Sequence, residues 1–381
     1  MRHSTIVRSI VVAACVCFVV AACATGKRAL RYNGLSDGDW ATVRGGPGNP
    51  GRSAASASPA LNTILWTVKT GGLTGSEPLV RGGLVFHGGL DRRVEVYDAR
   101  TGDRRYRARF DGPIVGLLPL DSTLIVVTDH PDNRAHLIRL RDGREQSSFR
   151  VPNPSAPPRM ASDSSFILPT WDGHLVCLSV HGHTIWEATC EGPVLHAPAV
   201  ADTVVYAASG RSIFAVGLSD GRVFWQHGVA GMIRGGPAVD GHIYFGTADS
   251  FVCMLDPANG ESTWSRHVGG GITSSPALSD SLVYVTANDG FVYSLSRTTG
   301  EIRWKFDTGA LANLSPTLVG DQLIVAARQP AVFLLNALTG EKISETALKK
   351  AADSPPVFGE GFVLVQDFDR HLYCLGPPPS K

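Results

Sequence analysis

Glycine residues that close short polar turns recur along most of this chain at a nearly constant interval. Successive glycines lie 39 to 41 residues apart. The glycines in this series are Gly102, Gly143, Gly182, Gly221, Gly260, Gly300 and Gly340. A period near forty residues with strand-like content is typical of a β-propeller, in which each repeat forms one four-stranded blade.

Proline and large aromatic rings follow the same period. A proline lacks a backbone N–H, so it fits the start of a strand or the free edge of the innermost strand of a blade. The prolines are Pro78, Pro119, Pro158, Pro198, Pro237, Pro276, Pro316 and Pro356. We expect the recurring rings to pack between neighbouring blades. They are Trp66, Tyr106, Trp186, Trp225, Trp264 and Trp304.

The strands of one repeat are easiest to assign in residues 272–310. Ile272–Leu278 contains Ser-Ser-Pro and is predicted to be the innermost strand, and the apolar run Ser281–Thr286 is predicted to be the second. Phe291–Ser296 follows an Asn-Asp-Gly hairpin turn as the third strand. Glu301–Asp307 alternates polar and apolar residues, which indicates a half-exposed outer strand.

The two ends of the repeat region complement each other. The last repeat stops after its third strand, whereas Leu61–Lys69 has the pattern of an outer strand with no blade before it. Pairing these ends closes a ring and removes two open sheet edges. The sequence therefore predicts an all-β, eight-bladed β-propeller of four-stranded antiparallel blades over residues 61–376, with a tail at 377–381. An open stack of repeats is the alternative, and it would leave sheet faces exposed.

The N-terminus is predicted to be a targeting segment. Arg2 and Arg8 precede an apolar run at residues 10–22, which is short for a membrane span and typical of a secretory signal. The small residues before Cys23 resemble the bacterial lipobox, which implies removal of residues 1–22 and lipidation of Cys23. Residues 23–60 are then a lipid-anchored flexible tether. Ala24 implies localisation at the periplasmic side of the outer membrane, and ordinary signal cleavage is the alternative.

The charge balance disfavours nucleic acid as a partner. Without Arg2 and Arg8, the 35 basic residues become 33, against 34 acidic residues. The mature chain is thus close to neutral, and no basic stripe was identified in the sequence. Phosphate-backbone binding depends on clustered positive charge, so nucleic-acid binding is not expected.

Residues that would carry chemistry are not arranged in a recognisable motif. Four cysteines, Cys177, Cys190, Cys253 and Cys374, lie within or next to predicted strands and are interpreted as small buried residues. The histidines lack zinc-type spacing, and no nucleophile motif is present. We therefore predict no catalytic residue, no metal site and no cofactor.

One aromatic residue is out of place in the repeat pattern. Trp171 occupies the hairpin between the second and third strands, where other repeats carry small or polar residues such as Asn288 and Ala248. A tryptophan at a loop tip is typical of an interface with a partner. The alternative is that the ring folds back over the neighbouring blade.

The repeat resembles a known family. Residues 274–304 carry Ser-Ser-Pro, Val-Tyr-Val, Asp-Gly-x-Val-Tyr-x-Leu and Thr-Gly-Glu-x-x-Trp, which resembles the pyrroloquinoline-quinone-type propeller repeat, and the resemblance covers residues 61–375. The run from Trp40 to Pro47 also resembles the lead-in that precedes such propellers. With the lipobox, the chain is most similar to the BamB family of β-barrel-assembly lipoproteins.

This resemblance implies a function. The family implies a non-catalytic scaffold that docks on the outer-membrane barrel insertase through a loop with an apolar-Arg-Gly run. The nearest match is Met232, Ile233 and Arg234 before Gly235, although Arg234 could equally be a solvated turn residue. Trp171 and Arg234 are expected on the same face of the ring, two blades apart.

Two other functions remain open on the sequence alone. One is a binding module for an envelope polymer. The other is a quinone-dependent dehydrogenase, since enzymes of this fold hold the quinone with a disulfide between adjacent cysteines, a tryptophan and a calcium ion. The mature chain has no pair of adjacent cysteines, which disfavours that enzyme.

Overall fold

The computed structural model describes Trp40, residues 43–53 and residues 63–377. Their regular secondary structure is entirely β-strand apart from one short 3-10 turn, η1 (Val43–Gly45). The predicted signal segment, Cys23, residues 24–39, 41–42 and 54–60 of the predicted tether, residues 61–62 and residues 378–381 lie outside the described residues. No helix among the described residues is long and apolar enough to cross a membrane.

The strands are numbered in chain order and grouped by blade. Two strands precede the first blade, β1 (Arg52–Ser53) and β2 (Thr63–Lys69). Blade one contains β3 (Leu79–Arg81), β4 (Leu84–Gly89), β5 (Arg93–Asp98) and β6 (Arg104–Arg109), and blade two contains β7 (Ile114–Leu120), β8 (Thr123–Thr128), β9 (Arg134–Arg139) and β10 (Glu145–Arg150). Blade three contains β11 (Arg159–Ser162), β12 (Ser165–Pro169), β13 (His174–Ser179) and β14 (Thr184–Thr189). Blade four contains β15 (Ala199–Ala201), β16 (Val204–Ser209), β17 (Ser212–Gly217) and β18 (Val223–Gly228).

The second half of the ring repeats the same order. Blade five contains β19 (Ala238–Asp240), β20 (His242–Gly246), β21 (Phe251–Leu255) and β22 (Ser262–His267), and blade six contains β23 (Ala277–Leu278), β24 (Leu282–Thr286), β25 (Phe291–Ser296) and β26 (Ile302–Asp307). Blade seven contains β27 (Thr317–Val319), β28 (Gln322–Ala326), β29 (Ala331–Asn336) and β30 (Lys342–Ala347). Blade eight contains β31 (Val357–Gly359), β32 (Phe362–Gln366) and β33 (His371–Gly376).

The sheets confirm the eight-bladed propeller and its closure. Strand β2 pairs antiparallel with β33, with Val68 opposite Leu372, so the N-terminal strand completes the last blade. Each other blade is an antiparallel sheet of four consecutive strands, and β1 adds a parallel fifth strand to blade seven beside β27. The innermost strands are shorter than predicted: β23 is only Ala277–Leu278, because the preceding serines turn into the loop above it.

The core lies between adjacent blades. The second and third strands are buried on both faces, as in β24, while the outer strand β26 alternates exposed and half-buried residues. At one interface, Ile324 and Val332 of blade seven share a cluster with Phe358 and Val363 of blade eight. Sheets buried on both faces require continuous apolar runs, which is the pattern of the middle strands.

The six repeat rings lie between blades. Five are tryptophans whose indole N–H donates to a carbonyl in the turn of the next blade, at 2.9 to 3.0 Å. The pairs are Trp66–Ala99, Trp186–Leu218, Trp225–Pro257, Trp264–Arg297 and Trp304–Ala337. Tyr106 occupies the equivalent place in blade one and packs against Gly143. Each ring therefore connects its own blade to the next.

Candidate docking face and channel cup

Trp40 and residues 43–51, which we call the segment, lie inside the ring and bond to the innermost strands. The carbonyls of the segment accept the N–H of the residue two positions after a repeat proline in five blades, at 2.7 to 3.0 Å. The donor and acceptor pairs are Val80–Trp40, Val200–Pro47, Val239–Gly48, Leu278–Pro50 and Leu318–Gly51. The segment thus satisfies N–H groups that the free edges of the innermost strands would otherwise leave unpaired.

The sequence assigned these residues to a flexible tether, and the structure differs. Residues 43–53 are packed against the channel wall, and two glycines allow the close approach. A Cβ atom at Gly48 would lie 2.4 Å from the carbonyl oxygen of Val239, and one at Gly51 would lie 3.0 Å from Cα of Ala277. The glycines of this Gly- and Pro-rich stretch therefore allow its backbone to contact the innermost strands closely, and they do not indicate flexibility here.

A buried arginine on blade three holds this segment. The Arg159 side chain donates to the carbonyls of Gly46 at 2.9 Å, Val43 at 3.1 Å and Pro198 at 3.1 Å, and to the side-chain oxygen of Asn49. Burial lowers the pKa of the guanidinium to about 10. The group is still charged at neutral pH, so its hydrogen bonds are charge-assisted.

A second buried arginine, Arg44, belongs to the segment itself. Its Nη2 donates to the carbonyls of Pro276 at 3.0 Å and Pro316 at 2.9 Å, which ties η1 to blades six and seven. Its backbone N–H donates to the carboxylate of Glu77 at 3.1 Å. Desolvation lowers the pKa of Arg44, and the Glu77 charge opposes that shift.

A cavity of about 270 Å³ lies above the segment. Val43, Arg44 and Asn49 line its base, and its wall consists of residues that precede the repeat prolines, including Ser76, Glu77 and His196. We call this cavity the channel cup. Burial lowers the pKa of His196 to about 4, so the imidazole is neutral at pH 7.

The channel cup belongs to one end of the ring, which we call the loop face. This end carries the hairpins between second and third strands and the loops that enter each innermost strand. Trp171 lies on the β12–β13 hairpin with 45% of its surface exposed. Met232 and Arg234 are exposed in the loop between β18 and β19. The two predicted positions therefore share this face.

Ile233 is placed differently from the sequence expectation of a partner contact. Only 6% of its surface is exposed, and it packs in the core between blades four and five with Ile213 and Phe245. Its backbone N–H donates to the carbonyl of Gly210 at 2.9 Å. Met232 and Arg234, the neighbours of Ile233 in the chain, are exposed, so alternate residues of 232–234 face solvent.

Leu195 is an exposed residue of this face that the sequence analysis missed. It has 45% of its surface exposed and stands three residues before Pro198, the position that Arg234 holds before Pro237. That shared place in the repeat is the signal that could have identified it. The adjoining Val194 N–H donates to the carbonyl of Thr170 at 3.2 Å.

These contacts join three loops into one surface. Thr170 precedes Trp171, and His196 lies beside Gly236, two residues after Arg234. The loops of blades three, four and five therefore adjoin one another around the mouth of the channel cup. We call the exposed set Trp171, Leu195, Met232 and Arg234 the docking face.

A basic strand was also overlooked in the sequence. The outer strand β6 reads Arg-Arg-Tyr-Arg-Ala-Arg, and Arg104, Arg105, Arg107 and Arg109 are all exposed. Arg104 lies 3.6 Å from the carboxylate of Glu95, and Arg105 is paired with Asp98. The strand is on the side of blade one, away from the docking face.

The described residues do not fit the quinone and calcium site of the dehydrogenases. The four cysteines in this part of the chain are free and buried, and they belong to three different blades. No group of three or more His, Cys, Asp or Glu side chains that could hold a metal ion occurs among the described residues. The disulfide between adjacent cysteines that such a site requires therefore has no counterpart there.

Comparison with known proteins gives one family. The profile described as outer membrane protein assembly factor BamB matches residues 34–155, 131–231 and 209–375. Among curated protein sequences, none matches the chain.

Solved structures with the same fold include a BamB protein and an alcohol dehydrogenase. BamB from Moraxella catarrhalis has a TM-score of 0.70 at 18% identity, over 84% of this chain and 99% of that one. The quinohemoprotein alcohol dehydrogenase from Comamonas testosteroni has a TM-score of 0.76 at 12% identity, over 90% of this chain and 81% of that one. At such identities the likeness establishes the fold alone.

Proposed function

Because the chain belongs to the family of the outer membrane protein assembly factor BamB, we propose that it is a non-catalytic envelope scaffold that acts in the assembly of outer-membrane proteins. Its partner is an envelope protein, with the outer-membrane barrel insertase as the first candidate. The docking face carries this proposal, because three apolar side chains and one arginine are exposed on adjoining loops.

The composition of the docking face supports protein binding. Aromatic residues and arginine dominate the binding energy of protein interfaces, particularly when an apolar neighbour excludes water around them. Trp171 and Arg234 are of these types, and Leu195 lies in the loop between them. The hydrogen bond between Val194 and Thr170 fixes two of the loops before any partner binds, which lowers the entropy lost on association.

The proposed location follows from the N-terminus. Lipidation of Cys23 would anchor the chain at the periplasmic side of the outer membrane. Two or more acyl chains give stable anchoring, whereas one gives marginal binding. Nothing in this arrangement requires nucleic acid, and the basic strand β6 is partly neutralised by Glu95 and Asp98.

Chemical crosslinking and capture from membranes test the function. We expect the wild-type chain to capture an outer-membrane assembly protein, and Trp171→Ala to lose about 2 kcal/mol, or roughly thirtyfold in affinity. Leu338→Ala is the matched control, because Leu338 is 71% exposed in the β29–β30 turn at the opposite end of the ring. Equal capture by wild type and Trp171→Ala would reject the docking face.

The two other readings have their own outcomes in this experiment. Capture of an envelope polymer with no assembly protein would replace the scaffold with a polymer-binding module. Reduction of a dye by the purified chain with an alcohol, after addition of quinone and calcium, would instead show dehydrogenase activity.

A further inference from the structure

The outer strands of blades eight, one and two carry an excess of positive charge. Counting Lys, Arg, Asp and Glu, strands β2, β6 and β10 contain six basic residues and one acidic residue. The five other outer strands together contain four basic and three acidic residues. Because the outer strands form the wall of the ring, this wall is basic on one side and close to neutral elsewhere.

Four of these cations are exposed and have no ion pair among the described residues. They are Lys69, Arg107, Arg109 and Arg150, and we call them the basic wall. Each of the two other arginines of β6 has a carboxylate partner. The exposed carboxylates of Asp103 and Asp111 lie just beyond the two ends of β6 and leave its middle uncovered. An unpaired surface cation keeps its charge available to an external anion.

The register of blade one explains why two of the cations stay unpaired. Arg107 stands opposite Glu95, whose carboxylate is buried and accepts the backbone N–H of Gly71 at 2.9 Å. Arg109 stands opposite Arg93, which is itself a cation. Side chains directly opposite each other are the pairs that interact across a sheet. The cross-strand neighbours therefore offer neither arginine a free carboxylate.

The position of these cations in the repeat shows that they are specific to this side of the ring. Arg107 and Arg109 follow the ring of Tyr106 by one and three residues. One residue after the repeat tryptophans, the other strands carry Thr67, Glu187, Gln226, Ser265 and Lys305. Three residues after them, the strands carry Lys69, Thr189, Gly228, His267 and Asp307. The fold of a blade thus does not require a cation at either place.

The chemistry of the basic wall fits phosphate groups spread over a surface. Guanidinium groups bind phosphate oxygens through two parallel hydrogen bonds. The rings of the three strands, Trp66, Tyr106 and Phe149, are turned into the blade interfaces, and only Ile64 and Leu65 are exposed large apolar residues there. Protein hot spots combine arginine with exposed aromatic anchors, whereas an anionic bilayer attracts each nearby basic residue. We propose that the basic wall rests on the phosphate headgroups of an anionic phospholipid membrane.

Protection of the sheet edge is the alternative role for these charges. A charged edge strand discourages pairing with a strand of another chain. All eight outer strands would need that protection, yet β18 has no Lys, Arg, Asp or Glu and exposes Phe224. Concentration of charge on three adjacent blades is instead what a broad external surface requires, since only neighbouring blades can touch it together.

Membrane contact through the wall is separate from the docking face. The docking face belongs to one end of the ring on blades three to five, and blade five lies opposite blade one in a ring of eight. A ring that rests on its wall keeps both ends open to other proteins. This contact goes beyond the proposed scaffold function and requires neither a protein partner nor lipidation of Cys23.

Co-sedimentation of the full chain with lipid vesicles tests the basic wall. Every protein in the experiment carries Cys23→Ser, so that no acyl chain contributes to binding. Vesicles of phosphatidylcholine alone are compared with vesicles of phosphatidylcholine and phosphatidylglycerol in equal parts. We expect at least about tenfold stronger partition into the anionic vesicles at about 0.05 M salt, and loss of this preference at about 0.5 M salt, because salt screens surface charge.

Removal of two cations should weaken the contact. Arg107→Gln combined with Arg109→Gln should reduce partition into the anionic vesicles about twentyfold or more, at about fivefold for each arginine. Arg107→Lys combined with Arg109→Lys keeps the charge and should retain most of the binding. The matched control is Arg303→Gln combined with Lys305→Gln, which removes two exposed cations from the outer strand of blade six and should bind as wild type does.

Four results would overturn membrane contact at the basic wall. The first is equal partition into the two kinds of vesicle, and the second is wild-type partition in the Arg107→Gln, Arg109→Gln variant. The third is an equal loss in the blade-six control, which would show an effect of net charge alone. The fourth is binding of a DNA duplex more tightly than vesicles, with the same loss in the double variant.

The vesicle experiment is independent of protein docking. The vesicles contain no protein, so their failure to bind the chain leaves the proposed docking function intact. Failure of the docking face to capture a partner likewise leaves the vesicle result intact.

Discussion

The indole ring of Trp264 packs directly against Gly300 of the next blade. A Cβ atom built on Gly300 would lie 2.7 Å from Cε3 of Trp264, closer than real Cβ contacts. The indole N–H donates to the carbonyl of Arg297 at 2.9 Å, so the ring contacts both sides of the same turn. The turn glycine therefore has two roles: it adopts a positive φ of 68°, and it leaves room for the ring.

The same contact occurs at seven of the eight blade interfaces in the described ring. The pairs are Trp66–Gly102, Tyr106–Gly143, Phe149–Gly182, Trp186–Gly221, Trp225–Gly260, Trp264–Gly300 and Trp304–Gly340. Phe149 replaces a tryptophan in this series. It follows its turn glycine by six residues, whereas rings such as Trp186 follow theirs by four, so the repeat spacing did not reveal it. Glycine and ring share one period because each needs the other across an interface.

Gly300→Ala should destabilise the protein more than a comparable glycine substitution elsewhere. A Cβ at Gly300 meets both left-handed backbone strain and the Trp264 ring, and we expect a loss of about 2–4 kcal/mol. Gly241→Ala is the control, because Gly241 has a similar φ of 69° but nothing within 4 Å, so it should lose about 1 kcal/mol. Urea denaturation measures both, and equal losses would contradict the packing role.

Replacement of Trp186 separates ring packing from hydrogen bonding. Trp186 is 6% exposed, so Trp186→Ala should cost about 3–5 kcal/mol. Trp186→Phe keeps a ring against Gly221 but loses the bond to the Leu218 carbonyl, and it should cost about 1–2 kcal/mol. A loss below about 1 kcal/mol for the alanine variant in denaturant unfolding would show that the ring is a surface feature.

Arg159→Met should release the segment from the channel. The substitution removes the side-chain donor to the carbonyls of Val43, Gly46 and Pro198, of which Gly46 keeps the backbone N–H of Asn49, and it should cost about 3 kcal/mol or more. Trypsin should then cleave after Arg52 faster than in wild type. The control is Arg211→Met, which changes an exposed hairpin residue. Unchanged cleavage in Arg159→Met would show that the segment is held by other contacts.

His196 should make the fold less stable in mild acid. Its pKa is about 4 in the folded state, against roughly 6.5 in the unfolded chain. The unfolded state binds the proton first, so stability is full above pH 6.5 and falls as the pH drops towards 4. We expect a loss of about 2 kcal/mol between pH 7 and pH 5, which His196→Gln should abolish.

The acid effect of His196 can be isolated by difference. Other groups also titrate in this range, so the slopes of unfolding free energy against pH are compared between variants. His183→Gln, at an exposed turn, should retain the wild-type slope. A wild-type slope in His196→Gln would contradict the assignment.

Cys23→Ser tests the anchor. Lipidation needs the thiol, so the variant should incorporate no labelled fatty acid and should leave the membrane fraction. The wild-type chain, labelled in parallel, is the control. Label on the serine variant would reject Cys23 as the lipidation site.

Some features were determined by the sequence alone because their causes are local. Glycines such as Gly300 recur because each turn needs a residue that adopts a positive φ, and prolines such as Pro276 recur because the innermost strand tolerates a residue without an N–H. Both requirements are met within a few neighbouring residues. Alternation in Leu61–Lys69 marked an outer strand, and its lack of a preceding blade required closure with β33. Blade number, order and closure could therefore be predicted.

The site was decided by tertiary structure because its contacts are distant in sequence. Arg44 bonds to Pro316 across 272 residues, and Arg159 bonds to Gly46 across 113. A Gly- and Pro-rich segment has the same local composition whether it spans solvent or lies against a channel wall. The assembled ring decides the outcome. Its innermost strands offer unpaired N–H groups to the segment, and blades six and seven offer carbonyls to Arg44, so the segment is buried and the channel cup forms above it.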